Sequence, residues 1–217
     1  MFDWNFALEI LPTLLDGLVV TVQVTFLSFI IAAIMGLLFA LGRRSENRWL
    51  SEPVGALVEF VRSTPLLVQL FFFFYVLPQY GIRMPAFALG TIALGLHYAT
   101  YTSEVYRAGI DAIDQGQWEA AVALNFSPMD TWTRIILPQS IPPMIPALGN
   151  YFVAMFKETA QLSAITITEL LQTGRIIGAQ SFRYLEAITL VGLLYFLISY
   201  PSALLVQKLE ARYARAN

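Results

Sequence analysis

The sequence predicts an all-α integral membrane protein with five transmembrane helices. Of its 217 residues, 57% are hydrophobic and only 13% are charged, whereas a soluble domain carries about 25% charged residues. Five windows contain no Asp, Glu, Lys or Arg: 17–42, 63–82, 84–103, 135–156 and 187–207. Each window can supply a membrane-spanning helix, which needs about 20 residues. With no linker between the windows, the chain is predicted to be one membrane domain, residues 1–217.

The distribution of Lys and Arg between the loops predicts the orientation. Cytoplasmic loops of membrane proteins carry the excess of these cations. Nine lie on the side of the first loop and the C-terminal tail: Arg43, Arg44, Arg48, Arg62, Arg107, Arg134, Lys208, Arg212 and Arg215. Four lie on the other side: Arg83, Lys157, Arg175 and Arg183. The N-terminus is therefore expected outside and the C-terminus in the cytoplasm.

Composition excludes several kinds of site. The chain has no cysteine and a single histidine, His97, so neither a thiolate site nor a multi-histidine metal site is expected. No metal and no cofactor is predicted for this chain. A formal net charge of −2 gives no reason to expect a nucleic acid partner.

Prolines and apolar patterning predict three local features. Pro65 disfavours helix at Thr64, so a bend is expected at the cytoplasmic start of span two. Four prolines between residues 138 and 146 are expected to interrupt span four, and Pro201 to bend span five. Between these spans, Leu170, Leu171, Ile176 and Ile177 predict a short amphipathic helix that lies on the bundle.

The segment from Asp114 to Asp130 predicts a short helix in the cytoplasm. Asp114 is a good N-cap with Gln117 as its capping-box partner, and the helix should run from Gln115 to Leu124. Asn125 is suited to the left-handed position that ends a helix. Ser127 should cap the next helix, with Pro128 at its first position.

A helix of this length is marginal in water, so another surface must hold it. Trp118, Ala121 and Val122 share one face, and the alanines at 120, 121 and 123 make a thin helix that a partner can approach closely. The alternative is a loop helix that rests on its own bundle. Chain physics alone does not decide between the two.

The stretch "EAAVALNFSPMDTWTRIILPQ" resembles the EAA loop of permease subunits of ATP-binding-cassette (ABC) importers. Glu119, Ala120, Ala121, Ile135, Leu137 and Pro138 match the pattern in register, and Asn125 replaces its glycine. "VEFVRSTPLLVQLFFFFYVLP" and "YTSEVYRAGIDAIDQGQWEAA" resemble the polar amino acid branch of these importers. "GLHYATYTSEVYRAG" and "SYPSALLVQKLE" are similar to its permeases for ectoine and hydroxyectoine.

This resemblance implies a type I ABC importer permease fold in the bacterial inner membrane. It also implies two cytoplasmic ATPase subunits that bind ATP and Mg²⁺, a second permease subunit and an extracytoplasmic solute-binding protein. The short cytoplasmic helix would be the coupling helix that sits in a cleft of the ATPase. Its expected contact residues are Gly116, Trp118, Glu119, Ala120, Ala121, Leu124 and Asn125.

Polar residues at membrane depth are the candidates for the solute path, because their burial is costly unless it is functional. His97, Tyr101 and Glu104 share one helix face by their spacing. Glu104 or Glu158 is expected to bind the cation of a zwitterionic solute, and Lys157 or His97 its carboxylate. Further hydrogen bonds are expected from Gln69, Asn150 and Gln161.

Other readings of these residues stay open. His97 can be a packing residue, Glu104 can pair only with Arg107, and Lys157 and Glu158 can be interfacial charges. A secondary transporter or channel that works without an ATPase is the alternative function, because broken helices line the sites of many such proteins. A membrane enzyme is a third hypothesis, although the sequence carries no catalytic motif.

Overall fold

The computed structural model describes residues 2–214, and every regular element in that range is helical. The first helix, α1, runs from Trp4 to Arg43. It begins well before the charge-free window that opens at residue 17, because Asp3 caps it early and its carboxylate accepts hydrogen bonds from the N–H groups of Asn5 (3.0 Å) and Phe6 (3.2 Å). Pro12 lies inside the helix without ending it.

The outer end of α1 is tied to the start of the last helix. Arg183 Nη1 donates to Asp3 Oδ2 over 2.8 Å, and Asp3 N donates to Glu186 Oε1 over 3.0 Å. The hydrogen bond from Arg183 holds the pKa of the Asp3 carboxyl below its usual value. The residues before the predicted span are therefore an anchored part of the bundle.

The bend predicted at Pro65 is confirmed. Helix α2 spans Arg48–Arg62, and α3 spans Leu66–Phe71 and continues through a π-helical turn, Phe72–Val76, and a 3₁₀ turn, Leu77–Tyr80. The axes on the two sides of the break differ by 102°. Helix α2 itself was not predicted. Its start could have been found from Asn47, whose side chain accepts from Trp49 N over 3.0 Å.

Helix α4, Ala86–Asp111, pairs along its length with α1. Ser28 Oγ donates to Thr91 O over 2.8 Å, and Thr102 Oγ1 donates to Ala32 O over 2.7 Å. These contacts show that the two helices run in the same direction. Gly36 permits the close approach, because a Cβ there would lie 2.0 Å from Thr102 Oγ1.

The predicted interruption of span four is wrong. After helix α5 (Gln115–Ala123) and a single turn α6 (Pro128–Asp130), a π-helical turn covers Thr131–Ile136, and α7 then runs unbroken over Leu137–Glu158. The φ that the proline ring fixes is compatible with a helix, and each proline removes only one donor. The carbonyl of Ile135 receives the side-chain amide of Gln139 at 2.8 Å. The last helix, α9 (Tyr184–Ala214), continues through Pro201, and the bend expected there stays a prediction.

The short outer helix is confirmed as α8, Leu170–Ser181, which follows a 3₁₀ segment, Thr159–Ile165. Its packing face agrees with the prediction at Leu170, which is buried, and at Leu171 and Ile177, which pack against the same apolar cluster. Thr173, Gly174 and Gly178 are buried together with Leu170, whereas Ile176 is exposed. Small residues let α8 lie close against α1 and α9, and a Cβ on Gly17 would be 2.5 Å from Thr173 Oγ1.

Length and apolar composition single out two described helices as able to cross a membrane, Trp4–Arg43 and Tyr184–Arg212. The bent pair Arg48–Arg62 and Leu66–Tyr80 gives a third if it counts as one span. The main buried cluster lies among α1, α3, α4, α7 and the 3₁₀ segment, with Leu70, Leu94, Met155 and Leu162 at its centre. Arg215, one of the predicted cytoplasmic cations, lies outside the described residues.

The glycine contacts predict a matched pair of substitutions. Gly36→Ala places a methyl group against Thr102 and the Ala99 carbonyl, and we expect it to lower stability by about 1–3 kcal/mol through overpacking. Gly192→Ala adds the same methyl group where nothing lies within 4 Å, so it should be neutral or slightly stabilising. The thermal unfolding midpoints of the two purified variants check this, and equal midpoints would contradict the packing described for α1 and α4.

Candidate functional site

Helix α5 stops within one residue of its predicted end, and Asn125 is the reason. Asn125 has φ 55°, in the left-handed region. Its N–H donates to Val122 O and that of Phe126 donates to Ala121 O, both over 3.0 Å. This pair of bonds is a Schellman motif, which an Asn tolerates better than other non-glycine residues. Leu124 is the C-cap, so the helix is one residue shorter than predicted.

The other capping predictions are confirmed except one. Asp114 accepts from Gly116 N over 2.7 Å, and Ser127 Oγ accepts from Asp130 N over 3.1 Å. Gln117 does not close a capping box with Asp114. Its Oε1 instead accepts from Gln139 Nε2 over 3.1 Å, because the first turn of α7 lies within its reach. That bond ties α5 to α7.

The two faces of α5 have different surroundings. Ala121 is 0% exposed, and the indole rings of Trp118 and Trp132 meet edge to face at 5.2 Å. This inner face rests on the π-helical turn before α7. Ala121 was among the predicted contact residues for a partner. Its own chain covers it, so its side chain is not exposed for such a contact.

The opposite face of α5 is free in the described chain. Val122 and Leu124 are 75% and 70% exposed. Gly116, Glu119, Ala120 and Asn125 are exposed as well. One face of the helix therefore rests on its own bundle, and the other is open within the described chain. That a partner covers the open face stays a prediction.

A second site is an open cavity of about 530 Å³ between α4, α7 and the break that precedes α3. Four of the predicted path residues line it: His97, Tyr101, Glu158 and Gln161. The lining also includes Tyr98, a further polar residue of the same span, and Arg62, Thr64 and Tyr151, for which no place in the path was predicted. The cavity therefore has an arginine, a carboxylate and an aromatic wall.

Gln69 does not line this cavity but lies behind His97. Its amide nitrogen donates to Val61 O (2.7 Å), Thr64 O (3.1 Å) and Thr64 Oγ1 (2.7 Å). Its Oε1 is then the group that faces His97 Nδ1 at 3.2 Å. Because an amide oxygen only accepts, Nδ1 must be the donor, and a neutral His97 keeps Nε2 as an acceptor.

The aromatic wall is a packed group of four rings. His97 and Tyr101 lie 5.4 Å apart between ring centroids, Tyr101 and Tyr151 5.7 Å, and Tyr98 and Tyr151 6.0 Å. Faces of tyrosine rings attract cations through their negative π surfaces. Such a wall suits an ammonium group better than an anion.

Three more of the predicted path residues lie elsewhere. Asn150, from which a hydrogen bond was expected, is exposed and does not line the cavity. Lys157 is exposed and does not line the cavity, although Glu158 beside it does, because neighbouring residues of a helix point in directions about 100° apart. Glu104 lies in an ion cluster at the far end of α4. Its Oε1 accepts from Arg43 and from Arg62 Nη1 (3.2 Å), and its Oε2 accepts from Arg107 Nη2 (2.9 Å).

Arg62 connects the ion cluster to the cavity. It pairs with Glu59 over 2.8 Å and with Glu104, and its side chain also lines the cavity. From the sequence, Arg62 was predicted only to be one of the nine cations on the cytoplasmic side. Its place next to the break at Pro65 was the signal that it belongs to a site, since side chains at an interrupted helix border the gap.

Comparison with known proteins gives a consistent assignment. Residues 28–215 match the family model described as "Binding-protein-dependent transport system inner membrane component". The chain is 50% identical over 213 residues to the probable amino-acid ABC transporter permease protein y4tG of Sinorhizobium fredii, covering 95% of this chain and 92% of the relative. It is 35% identical to the L-cystine transport system permease protein TcyB of Bacillus subtilis, with 94% and 89% coverage.

Solved structures agree on the fold. A crystal structure of an amino acid ABC transporter with histidines matches with a TM-score of 0.92 at 35% identity, covering 98% of this chain and 99% of that one. The MetNI methionine ABC transporter, in an inward-facing conformation, matches with a TM-score of 0.73 at 20% identity, covering 93% and 98%, and supports the fold alone. The chain belongs to the family of binding-protein-dependent transport system inner membrane components.

Proposed function

We propose that this chain is the membrane-spanning permease subunit of an ATP-driven, binding-protein-dependent importer that moves amino acids across a bacterial inner membrane. The observation that carries the proposal is the cavity, which presents Arg62, Glu158 and an aromatic wall to one space. Membership in a family of transport-system membrane components makes the chain a translocation subunit and not an enzyme. It also speaks against a secondary transporter or channel that needs no ATPase.

The proposed topology is five spans with the N-terminus outside. Helix contacts support it. Helices α1 and α4 run in the same direction, whereas α3 runs opposite to α4, because Arg62 meets Glu104 and Gln69 meets His97. Helix α7 also runs opposite to α4, since Gly109 approaches Met144 and Tyr98 approaches Tyr151. Alternating directions for α1, α3, α4, α7 and α9 agree with the Lys and Arg count.

The proposed solute is a zwitterion held at both ends. The Arg62 guanidinium offers hydrogen bonds to a carboxylate, a role that the sequence analysis gave to Lys157 or His97. Glu158 and the tyrosine faces offer charge to an ammonium group. Relatives named for L-cystine, glutamine, arginine and glutamate/aspartate transport support the amino acid class.

Ectoine and hydroxyectoine stay as a second solute class. They are cyclic amino acid derivatives with a carboxylate and a cationic ring, so the same two ends of the cavity would bind them. Only the sequence resemblance favours them, and the relatives named above carry amino acid names.

The proposed partners are two cytoplasmic ABC ATPases, a second permease subunit and an extracytoplasmic solute-binding protein, with lipid around the spans. ATP and Mg²⁺ would be bound by the ATPases, and this chain would bind no cofactor. The exposed face of α5, which carries Gly116, Glu119 and Ala120 and has Val122 and Leu124 at its two edges, would dock on the ATPase. Its link to α7 through Gln117 and Gln139 would pass movement to the helix that carries Glu158.

Reconstituted vesicles test the function. With the ATPase inside and the loaded binding protein outside, labelled amino acid should accumulate only when ATP is present. Val122→Glu should lower uptake at least about tenfold, because an unpaired charge at a docked apolar surface costs more than the 1.4 kcal/mol that a factor of ten represents. The panel of solutes should include ectoine and hydroxyectoine beside the polar amino acids.

Val122→Thr is the control, because it keeps the shape of the side chain and should retain most of the uptake. Accumulation driven by an ion gradient without ATPase would contradict the proposal. Tight binding of a sugar or a metal ion by the partner binding protein would contradict the solute class.

Neighbouring residues on α7 provide a second test. Glu158→Gln removes the carboxylate from the cavity and should raise the half-saturation concentration for amino acid binding to the assembled permease and ATPase about tenfold or more, the value of a lost charged hydrogen bond. Lys157→Gln changes the next residue, which is exposed, and should leave binding unchanged. Calorimetry on both variants measures this, and an effect of Lys157→Gln alone would place the solute elsewhere.

A further inference from the structure

Helix α2 has three faces that differ in character. At about 100° per residue, Val54, Val58 and Val61 share the face turned to the bundle, where Val58 is 0% exposed. A second face carries four large apolar side chains that nothing in the described chain covers: Trp49, Leu50, Leu57 and Phe60. The third face is polar and carries Arg48, Glu52 and Glu59, with Arg48 and Glu52 paired at 3.6 Å.

The helix lies across the ends of the spans. Its axis is turned by 102° from that of Leu66–Tyr80. Its middle touches the last turn of α1, because a Cβ on Gly42 would be 3.3 Å from Val54 Cγ2. Its last residue, Arg62, bonds the same carboxylate of Glu104 as Arg43 at the end of α1. Both its middle and its C-terminus are thus held level with the cytoplasmic end of the bundle.

The uncovered apolar face is prominent. Trp49 is 91% and Phe60 67% exposed, and each lies about 100° around the helix from its neighbour on the polar face, Arg48 or Glu59. The end of α1 and the start of α3 also expose apolar side chains toward the surroundings: Leu37, Leu38, Leu41, Leu67 and Val68. The apolar face of α2 therefore continues the surface by which the spans meet lipid.

We propose that α2 lies flat in the inner leaflet, with Trp49, Leu50, Leu57 and Phe60 inserted at the boundary of headgroups and acyl chains. Helices with one apolar and one charged face occupy this interface, and tryptophan is enriched there. The occupant of the face is lipid, since the face is continuous with the lipid-facing surface of α1 and α3 and is distinct from the docking face of α5. The assignment to the inner leaflet rests on the orientation in the proposed function.

Such an anchor has a consequence for the cavity. Helix α2 ends at Arg62, and the break that follows, Ser63–Pro65, forms the adjacent edge of the cavity. Lipid contact along α2, together with the bonds to Glu104, holds this edge while α7 moves. The contact of α2 with lipid thus fixes the position of the Arg62 backbone at the edge of the cavity.

The absence of cysteine from the chain makes a direct test simple. Spin labels are attached to Trp49→Cys and Phe60→Cys in the full chain, assembled with cysteine-free partner subunits in vesicles. Both sites are exposed, so the substitutions leave the packing intact. Collision with oxygen, which concentrates in lipid, should exceed collision with a water-soluble nickel chelate at both sites. Glu52→Cys on the polar face is the matched control and should show the reverse.

Three outcomes overturn the proposal. Nickel chelate that reaches Trp49→Cys and Phe60→Cys as freely as Glu52→Cys means that the face is in water. Immobile labels that neither reagent reaches mean that a second permease copy or an ATPase covers it. Equal oxygen collision on the apolar and polar faces means that α2 does not lie at an interface. None of these readouts depends on uptake, so failure of the proposed transport function is seen separately.

Discussion

Close contact between α1 and α4 is the constraint on which the rest of the structure depends. Lipid tails are as apolar as leucine, so burial of apolar surface does not drive helices together in a membrane. Small residues and interhelical hydrogen bonds must do so instead. Ser28 and Thr102 donate to carbonyls of the partner helices, and Gly36 leaves room for Thr102. His97 and Tyr101 lie on α4, so the contact between α1 and α4 positions both side chains at the cavity.

The break at Ser63–Pro65 is the second determinant, because it serves three structures at once. It ends α2, it borders the cavity, and it leaves carbonyls whose bonds with Gln69 set the orientation of His97. Arg62 belongs to both the ion cluster and the cavity. The proline thus ends regular helix at a point where the irregular backbone and the side chains beside it border the cavity.

Sequence patterns predicted local structure better than side-chain surroundings. The bend at Pro65 and the stop at Asn125 follow from backbone chemistry within a few residues, and both are confirmed. The prolines of α7 misled because a helix continues past a missing N–H donor when its surroundings satisfy the carbonyl groups that are freed, and those surroundings are a tertiary property. Arg62 lines the cavity and Lys157 does not, although the sequence had suggested Lys157 for the path. A charge count along the chain does not tell which side of a helix faces a cavity.

An experimental structure of the assembled transporter with its solute bound in the membrane domain is the decisive measurement. We expect density for an amino acid in the cavity, with its carboxylate at Arg62 and its ammonium group at Glu158 and the tyrosines. A solute bound elsewhere, or a cavity filled by side chains of the second permease subunit, would overturn the proposed solute site.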